Sequence, residues 1–543
     1  MAAYKFHTKP FKHQRDCFLV SRELPAFAYL MEQGTGKTKV GIDTAAYLYL
    51  AGLIDALLIA APNEGDVPDN WIDQVYLHLP TGVGRTAVRA AAASKMRAEA
   101  KRDLKLILDK RADDLGLRII STNIESIRSG SPLFNQLLKF CREFRVLFII
   151  DESTRIKSHT AAQTKASHKL GRNAVYRRIA TGTFTPNGPL DAYSQMLFLD
   201  PAILGFDSFT AFKAHFCQLL PPQNGLVRWT ANKMAGKISD PAKRAAFADQ
   251  MTSVIQIPAR GPDGVILYRN TDELNKKIAP YSFRALKKDC LDLPPKLYVT
   301  HYVDMTPRQQ LIYDQVKREV IAEFVDKGLL RTVTASLAIV RLLRLQQIAC
   351  NHFSPDPDPD VDSGRVIERI EPWKYNKKTK EVVTSNPRMQ CLLQVIEEAG
   401  PVRGIIWCRH HPEIREIVEV LSAQFGQERV VQLHGKIKGE ERVAARKAFQ
   451  DLKSKIQWLV GQERSGIGID LYEASWEFFY SNDYSWENRI QAEDRGHRQG
   501  LRHALTIHDV LTRGTNDHRV IASLRNKKDV SEAILGDDLS NWV

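Results

Sequence analysis

The length, composition and charge of the chain limit the classes of protein to which it can belong. Its 543 residues are enough for two or more domains, each with its own buried core. The hydrophobic content of 43% and the charged content of 26% are ordinary for a soluble globular protein. A net charge of +14 favours a polyanionic partner, most often nucleic acid, and the alternative is a basic surface without a partner.

The cysteines and the apolar segments exclude further classes. Seven cysteines without C-x-x-C spacing argue against a disulfide framework and against a structural metal site. No run of about 18 apolar residues could span a membrane, and charged residues interrupt the first segment, where a signal peptide would lie. These features predict a cytoplasmic protein without a membrane segment.

A glycine-rich turn between an apolar strand at 26–30 and a helical pattern at 39–50 is the first motif along the chain. The turn contains Gly34, Thr35, Gly36, Lys37 and Thr38. Its glycines let backbone N–H groups approach an anion, and the start of the helix adds its positive dipole end. Lys37 would reach the β- and γ-phosphates of a nucleotide, and Thr38 would bind Mg²⁺. Met31 stands where the full pattern has its first glycine, so a surface turn is the alternative.

Two further features are typical of a nucleotide site. An apolar strand at 146–150 ends in Asp151 and Glu152. The first carboxylate would lie beside Mg²⁺ and the second would polarise an attacking water, unless the pair is only an acidic turn. Ahead of the glycine-rich turn, Gln14 carries an amide that can read the edge of an adenine, and a solvated glutamine is the alternative.

Strands alternate with helices through residue 200, which predicts an α/β fold with a parallel sheet covered on both faces. Residues 83–113 are predicted to be helical. The predicted segments are a first lobe at 1–200, a helical insertion at 201–292, a connector with two long helices and a mobile loop or small wing at 293–385, and a second lobe at 386–543.

The second α/β segment contains no phosphate loop, but it contains two arginines three residues apart. Arg495 and Arg498 are predicted to share one face of a polar helix. Such a pair suits the stabilisation of phosphate charge in a transition state. The alternative is a solvated surface of ion pairs.

Taken together, these residues resemble the Swi/Snf-like branch of the superfamily 2 helicases, which are ATP-driven double-strand DNA translocases. In the first half, the resemblance covers the adenine-reading segment at 11–14, motif I at 34–38, motif II at 151–157 and motif III at 181–187. In the second half, it covers motif IV at 405–409, motif V at 466–471 and motif VI at 491–499. The matching motifs occur in the order of the family.

The resemblance implies two RecA-like parallel-sheet lobes in tandem with helical insertions, and ATP and Mg²⁺ as cofactors. The catalytic residues would be Lys37, Glu152, Arg495 and Arg498. The nucleotide would be bound by Gln14, Gly34, Thr35, Gly36, Lys37, Thr38, Gly468 and Asp470, and the metal by Thr38 and Asp151. Contacts to nucleic acid would come from Asn63, Trp71, Thr122, Asn123, Arg409 and His434.

The chain departs from the family pattern in motif III, in motif V and just before motif V. Phe184 replaces a proline, Asp470 replaces a common asparagine, and residues 462–464 are unusual. None of these changes removes a catalytic group, so an active ATPase is expected.

The resemblance predicts a DNA-dependent ATPase that translocates on double-stranded DNA and remodels DNA or protein–DNA complexes. One alternative is a helicase or strand-annealing enzyme that acts on forked or branched DNA, and another is an ATP-switched DNA-binding module without motor activity. The resemblance also suggests a monomer in the bacterial cytoplasm or in a phage-infected host cell.

Overall fold

The computed structural model describes residues 4–62, 67–91, 96, 98–112, 115–261, 266–326, 343–353, 368–437, 439–466, 471–518 and 520–525. The described residues divide into two units, the first ending at Cys290 and the second running from Leu291 to Arg525. Each unit contains a parallel sheet. The prediction of an α/β fold with two parallel-sheet lobes in tandem is therefore confirmed.

The sheet of the first unit has the strand order β3-β4-β2-β5-β6-β1-β7, and its neighbouring strands are all parallel. Its strands are β1 (Ala26–Met31), β2 (Ala56–Ala61), β3 (Arg85–Ala90), β4 (Leu117–Asn123), β5 (Val146–Asp151), β6 (Tyr176–Ala180) and β7 (Ser282–Ala285). Leu57 and Ile59 pack in one core cluster, whereas Leu58 and Ala60 pack in another. Because both faces are covered, the central strands are continuous apolar runs rather than alternating ones.

The helices of the first unit connect these strands and continue through the segment predicted as a helical insertion. They are α1 (Lys12–Ser21), α2 (Lys37–Leu50), α3 (Val67–His78), α4 (Ala98–Ile107), α5 (Pro132–Glu143), α6 (Ala162–Gly171), α7 (Ala192–Leu199), α8 (Pro201–Leu204), α9 (Phe209–Phe216), α10 (Gly225–Ala235), α11 (Pro241–Val254), α12 (Thr271–Ile278) and α13 (Lys287–Cys290). The segment boundaries proposed from the sequence stay predictions.

Two strands of this sheet differ from the sequence-based expectation. The sequence predicts helix across 83–113, but strand β3 lies within this range and pairs with β4 at the sheet edge. Strand β7 pairs with β1 at the opposite edge, although it belongs to the predicted insertion. An edge strand has one pairing partner and is only partly buried, so its sequence lacks the long apolar run of a central strand.

The sheet of the second unit has the order β14-β15-β13-β16-β17-β8, again with parallel neighbours. Its strands are β8 (Lys296–Val303), β13 (Gly404–Cys408), β14 (Val430–Leu433), β15 (Trp458–Gln462), β16 (Trp476–Phe479) and β17 (Leu505–Thr512). The sequence does not predict β8 and β17. Strand β8 lies near the start of the segment 293–385, which is predicted as a connector with two long helices and a loop.

Helices and two small antiparallel pairs complete the second unit. Its helices include α14 (Pro307–Asp326), α15 (Pro387–Ala399), α16 (His411–Phe425), α17 (Gly439–Gln450) and α18 (Trp486–Gly496). Strand β9 (His352–Phe353) pairs with β10 (Glu368–Arg369), and β11 (Trp373–Asn376) pairs with β12 (Glu381–Thr384). The predicted helix over 331–349 and the predicted loop over 353–386 lie partly outside the described residues. Within the described ranges, no helix is long and apolar enough to cross a membrane.

Candidate functional site

The glycine-rich turn forms a strand–loop–helix arrangement in the first unit. Strand β1 ends at Met31 and helix α2 begins at Lys37. Between them, Gly34 has a φ of 79° and Gly36 a φ of 89°, a left-handed backbone that favours glycine. A Cβ on Gly36 would lie 2.1 Å from the Nε2 atom of Gln14, so any larger residue would also displace that amide. The loop and the start of α2 therefore have the geometry of an anion-binding cradle.

Lys37 lies across this loop. Its side chain is buried, and its Nζ atom donates to the carbonyl of Met31 at 2.9 Å and to that of Glu32 at 3.3 Å. Thr38 follows it on the first turn of α2 and is half-buried. Thr35 is buried within the loop, and its hydroxyl donates to the carbonyl of Glu32 at 2.7 Å. The structure thus brings the predicted phosphate-binding residues together.

Helix α1 also contacts the glycine-rich loop, through the side chains of Gln14 and His13. The Gln14 amide donates to the carbonyl of Thr35 at 3.0 Å and accepts from the backbone N–H of Phe11 at 3.0 Å. The Nε2 atom of His13 also lies 2.8 Å from the Thr35 carbonyl. Gln14 therefore braces the loop in this structure, and its predicted role in reading adenine stays a prediction.

The predicted metal ligand lies at the carboxyl end of β5. Asp151 is buried, and its Oδ2 atom accepts from the indole N–H of Trp71 at 2.7 Å, while its Oδ1 atom accepts from the backbone N–H of Glu152 at 3.0 Å. Burial raises the pKa of Asp151, whereas the positive charge of Lys37 and the Trp71 hydrogen bond act in the opposite direction. These contacts orient the carboxylate and favour its ionised form.

The predicted general base is held by two side chains from neighbouring loops. One Glu152 oxygen accepts from Gln33 Nε2 at 3.2 Å and the other from Thr181 Oγ1 at 3.4 Å. The backbone of Glu152 has a φ of 47°, which is uncommon for a residue other than glycine. Such strain costs about 1–3 kcal/mol and is often found at functional sites. The glycine-rich loop and the loop after β6 thus fix the direction of this carboxylate.

Two of the predicted contacts to nucleic acid are corrected by the structure. Trp71 is only 1% exposed and lies in the core, where its indole holds Asp151. Thr122 is fully buried in β4, and its hydroxyl donates to the carbonyl of Ala90 at 2.8 Å. Neither side chain is available to a partner. The sequence does not show this burial for Thr122, because strand β3, which pairs with β4 beside it, lies in a range predicted to be helical. Trp71 instead positions the predicted metal ligand.

We expect Trp71→Phe to raise the Mg²⁺ concentration needed for half-maximal ATP hydrolysis by about 10-fold, since partners of a metal ligand commonly contribute this much. Phenylalanine keeps an aromatic ring but removes the donor to Asp151, and the pKa of that carboxyl should then rise further. The acid limb of the pH–rate profile should therefore move to higher pH. Titrations of ATP hydrolysis with Mg²⁺ and with pH measure both effects.

The matched control is Trp229→Phe, because Trp229 lies in α10 beside Lys233 rather than beside Asp151. It should leave the Mg²⁺ requirement at the wild-type value. An unchanged Mg²⁺ requirement in the Trp71→Phe variant would mean that this indole only fills the core.

The sequence predicts no role for Gln195, a further residue of the site. Gln195 in α7 is fully buried and accepts from the hydroxyl of Ser153 at 2.6 Å. Its amide nitrogen donates to the carbonyls of Phe184 and Asp191, each at 2.8 Å. One amide thus joins the segment after Glu152 to motif III. The Phe184 ring, which replaces the usual proline, packs in the core.

In the second unit, the two predicted arginines lie at the end of helix α18. Arg495 is buried in the last turn, and its carbonyl accepts from the backbone N–H of Leu471 at 2.9 Å. Arg498 is half-buried and lies beyond the helix, which ends at Gly496. The prediction that both arginines share one helical face is therefore wrong. His497 leaves the helical region with a φ of −88° and a ψ of 76°, so the chain turns between them.

A buried network fixes the helix that carries Arg495. Glu493 accepts from Arg489 at 2.7 Å, from Lys296 at 3.0 Å and from the hydroxyl of Tyr298 at 2.9 Å. Burial alone would raise the pKa of Glu493, but the charges of Lys296 and Arg489 lower it to about 2. The connector residue Lys296 therefore ties strand β8 to α18. The sequence predicts no role for this residue beyond its place in the connector.

A second buried carboxylate lies beside the same helix. Glu477 in β16 accepts from the indole of Trp407 at 3.0 Å and from the backbone N–H of Gly496 at 3.2 Å. Burial raises the pKa of Glu477 to about 8. The carboxyl thus caps the turn that leads from Arg495 to Arg498.

The remaining predicted residues are placed as follows. Arg409 donates to Gln346 at 2.9 Å and lies 3.5 Å from Asp483, so its guanidinium is held within the second unit. His434 is partly exposed, with its ring 5.0 Å from that of His411. Asn123 is mostly buried at the end of β4. The contacts of Arg409, His434 and Asn123 to nucleic acid stay predictions. Asn63, Gly468 and Asp470 lie outside the described residues.

Comparisons with known proteins identify families and chains that are similar to this one. The family model described as "SNF2-related domain" matches residues 30–354, and that described as "Helicase conserved C-terminal domain" matches residues 387–500. A solved structure, "Sulfolobus solfataricus SWI2/SNF2 ATPase core in complex with dsDNA", aligns over 98% of this chain and 94% of that chain, with 19% identity and a TM-score of 0.37.

Several curated proteins are similar in sequence. "TATA-binding protein-associated factor mot1" of Schizosaccharomyces pombe is 23% identical over 85% of this chain and 22% of its own length. "ISWI chromatin-remodeling complex ATPase CHR11" of Arabidopsis thaliana is 23% identical over 90% of this chain and 39% of its own length. The chain spans about a fifth of the length of the mot1 relatives. Since the SNF2-related match alone covers more than half of the chain, the protein belongs to the SNF2-related family of helicase-like ATPases.

Proposed function

We propose that this protein hydrolyses ATP when it is bound to double-stranded DNA, and that it uses this energy to move along the duplex. The proposal rests on one observation: Lys37, Asp151 and Glu152 lie close together near the ends of β1 and β5, in a chain of the SNF2-related family. The relatives whose names refer to a TATA-binding protein and to chromatin remodelling support a role on protein–DNA complexes.

The side chains of the first unit fit ATP with Mg²⁺. The two positive-φ glycines form a cradle that would hold phosphate oxygens, with Lys37 across it. Thr38 and Asp151 supply the hydroxyl and the carboxylate that would hold the metal. The bound metal supplies positive charge that offsets the charge developing on the phosphates.

Glu152 acts as the base in this proposal. Its carboxylate is directed by Gln33 and Thr181, so one oxygen can accept a proton from a water that attacks the terminal phosphate. Arg495 and Arg498 contribute positive charge to the transferring phosphoryl group, as the family resemblance implies.

Contacts to DNA are expected mainly at the phosphates, because the chain has a net charge of +14. Binding should therefore be insensitive to base sequence and should weaken as the salt concentration rises. Residence in the cytoplasm of a bacterium or of a phage-infected cell, and a monomeric state, stay predictions.

The decisive experiment measures the ATPase rate with duplex DNA, single-stranded DNA, forked DNA and RNA. Duplex DNA should stimulate the rate most, and ATP should drive release of a third strand that is paired to an intact duplex. Separation of forked strands without release of a third strand would favour a fork helicase. Stimulation by RNA alone would contradict the DNA assignment.

The same measurements address the alternative of a switched binding module. Such a module would bind duplex DNA in an ATP-dependent manner without steady hydrolysis. Purified protein that hydrolyses no ATP with any nucleic acid would therefore replace the motor proposal with this one.

A further inference from the structure

A basic β-hairpin projects from the second unit and is not used by the proposed nucleotide site. We define the hairpin as residues 373–384, comprising strands β11 and β12 and the loop 377–380 that joins them. Three of the four loop residues are lysines, Lys377, Lys378 and Lys380, and a fourth lysine, Lys374, precedes them on β11. All four lysines are exposed. The hairpin therefore concentrates positive charge at its tip.

The base of the hairpin is anchored. Trp373 and Val382 pack against the core cluster of the second unit, and Thr384 is buried. The backbone N–H of Val382 also donates to the side chain of Gln424 in α16. Because side chains alternate along a strand, Lys374 and Val383 lie on the opposite face, where both are exposed. The hairpin is thus fixed at one end and presents its lysines at the other.

The loop conformation is defined by local hydrogen bonds. The Asn376 side chain accepts from the backbone N–H of Lys378 at 3.0 Å, and the Asn376 carbonyl accepts from the N–H of Lys380 at 2.8 Å. Lys380 has a φ of 60°, which closes the turn back towards Glu381. An ordered turn lowers the entropy lost when the lysines bind a partner.

The lysines of the tip carry like charges that repel one another. In the part of the chain that the structure describes, none of the four lies within 4.0 Å of a carboxylate. A partner with closely spaced negative charges would relieve this repulsion. Duplex DNA carries about one negative charge per 1.7 Å of its axis, so neighbouring lysines can each meet a phosphate.

The composition of the tip favours nucleic acid over a protein partner. Protein–protein interfaces are depleted in lysine and rely on buried aromatic or arginine anchors. The loop 377–380 contains only lysines and a threonine. Lysine side chains suit phosphates, which need charge rather than an apolar pocket.

We propose that the tip of this hairpin binds the phosphate backbone of duplex DNA and increases the affinity of the second unit for the duplex. This inference rests on the proposed function and adds a specific contact to it. The contact carries no information about base sequence, because phosphates are the same at every step.

The test compares wild-type protein with the triple variant Lys377→Ala, Lys378→Ala, Lys380→Ala. Binding of a fluorescent DNA duplex is measured over a range of salt concentrations. The variant should bind about 10-fold more weakly at low salt, and the slope of log affinity against log salt should fall by about 2 to 3. The midpoint of thermal unfolding should stay at the wild-type value, which shows that the variant is folded.

A matched control removes the same charge elsewhere. Lys101, Lys105 and Lys110 are exposed residues in and after α4 of the first unit, and their triple alanine variant should retain the wild-type slope. Equal effects of the two triple variants would overturn the proposal, because net charge alone would then explain binding. A loss of binding that is confined to duplex RNA would also overturn it.

Wild-type protein that does not bind duplex DNA would refute the proposed function together with the hairpin contact. Normal binding of duplex DNA by the hairpin variant would refute the hairpin contact alone.

Discussion

Glu152→Gln is expected to reduce the maximal ATPase rate by about 10³-fold, within the range reported for the loss of a general base. Glutamine has nearly the same shape, so it can keep the contacts to Gln33 and Thr181 after a change of amide orientation. It cannot accept a proton from the attacking water. Nucleotide binding and duplex binding should persist, and each is measured by titration alongside the steady-state rate.

The control for this variant is Glu99→Gln, an exposed carboxylate on α4. It makes the same change of charge in the same unit and should leave the rate unchanged. A Glu152→Gln variant that hydrolyses ATP at the wild-type rate would exclude Glu152 as the base. A variant that no longer binds nucleotide would instead assign this residue to the shape of the loop.

Arg498→Ala is expected to lower the maximal ATPase rate by about 10³-fold, since an arginine that stabilises a transferring phosphoryl group contributes 10³ or more. Arg498 is half-buried and lies beyond α18, so its removal disturbs the core less than removal of the buried Arg495 would. The affinity for ATP should change much less than the rate. Single-turnover hydrolysis and nucleotide titration separate these two quantities.

Arg502→Ala supplies the control, because Arg502 is exposed four residues further along the same unit. It should retain full activity. Equal rates for the Arg498→Ala variant and the wild type would contradict the predicted role in catalysis. A parallel loss of thermal stability would indicate that Arg498 supports the fold of the second unit.

The phosphate loop and the acidic pair could be recognised from the sequence because their chemistry is local. Gly34, Gly36 and Lys37 belong to one short turn, and the buried strand before Asp151 is a continuous apolar run. Each pattern specifies its own backbone. The structure has the expected strand, turn and helix at the glycine-rich motif and the expected strand before the acidic pair. The contact between the two motifs could be expected from the parallel sheet, in which carboxyl ends of strands meet at one edge.

Roles that depend on tertiary packing cannot be predicted from local sequence motifs. The sequence predicts a contact to nucleic acid for Trp71, yet its indole binds Asp151, 80 residues later in the chain. The sequence places Lys296 in a connector, yet Lys296 pairs with Glu493, 197 residues later. Such contacts leave no periodic pattern in a short stretch of the sequence, because each depends on how separate elements pack.

The chain therefore contains two kinds of information about its function. Local motifs with a defined backbone, such as the turn at Gly34 and the strand end at Asp151, identify the nucleotide chemistry and the family directly. The support for that chemistry comes from long-range contacts, of Trp71 and Gln195 in the first unit and of Lys296 in the second. These contacts arise only when edge strands and covering helices come together, since burial and pairing are properties of the folded chain.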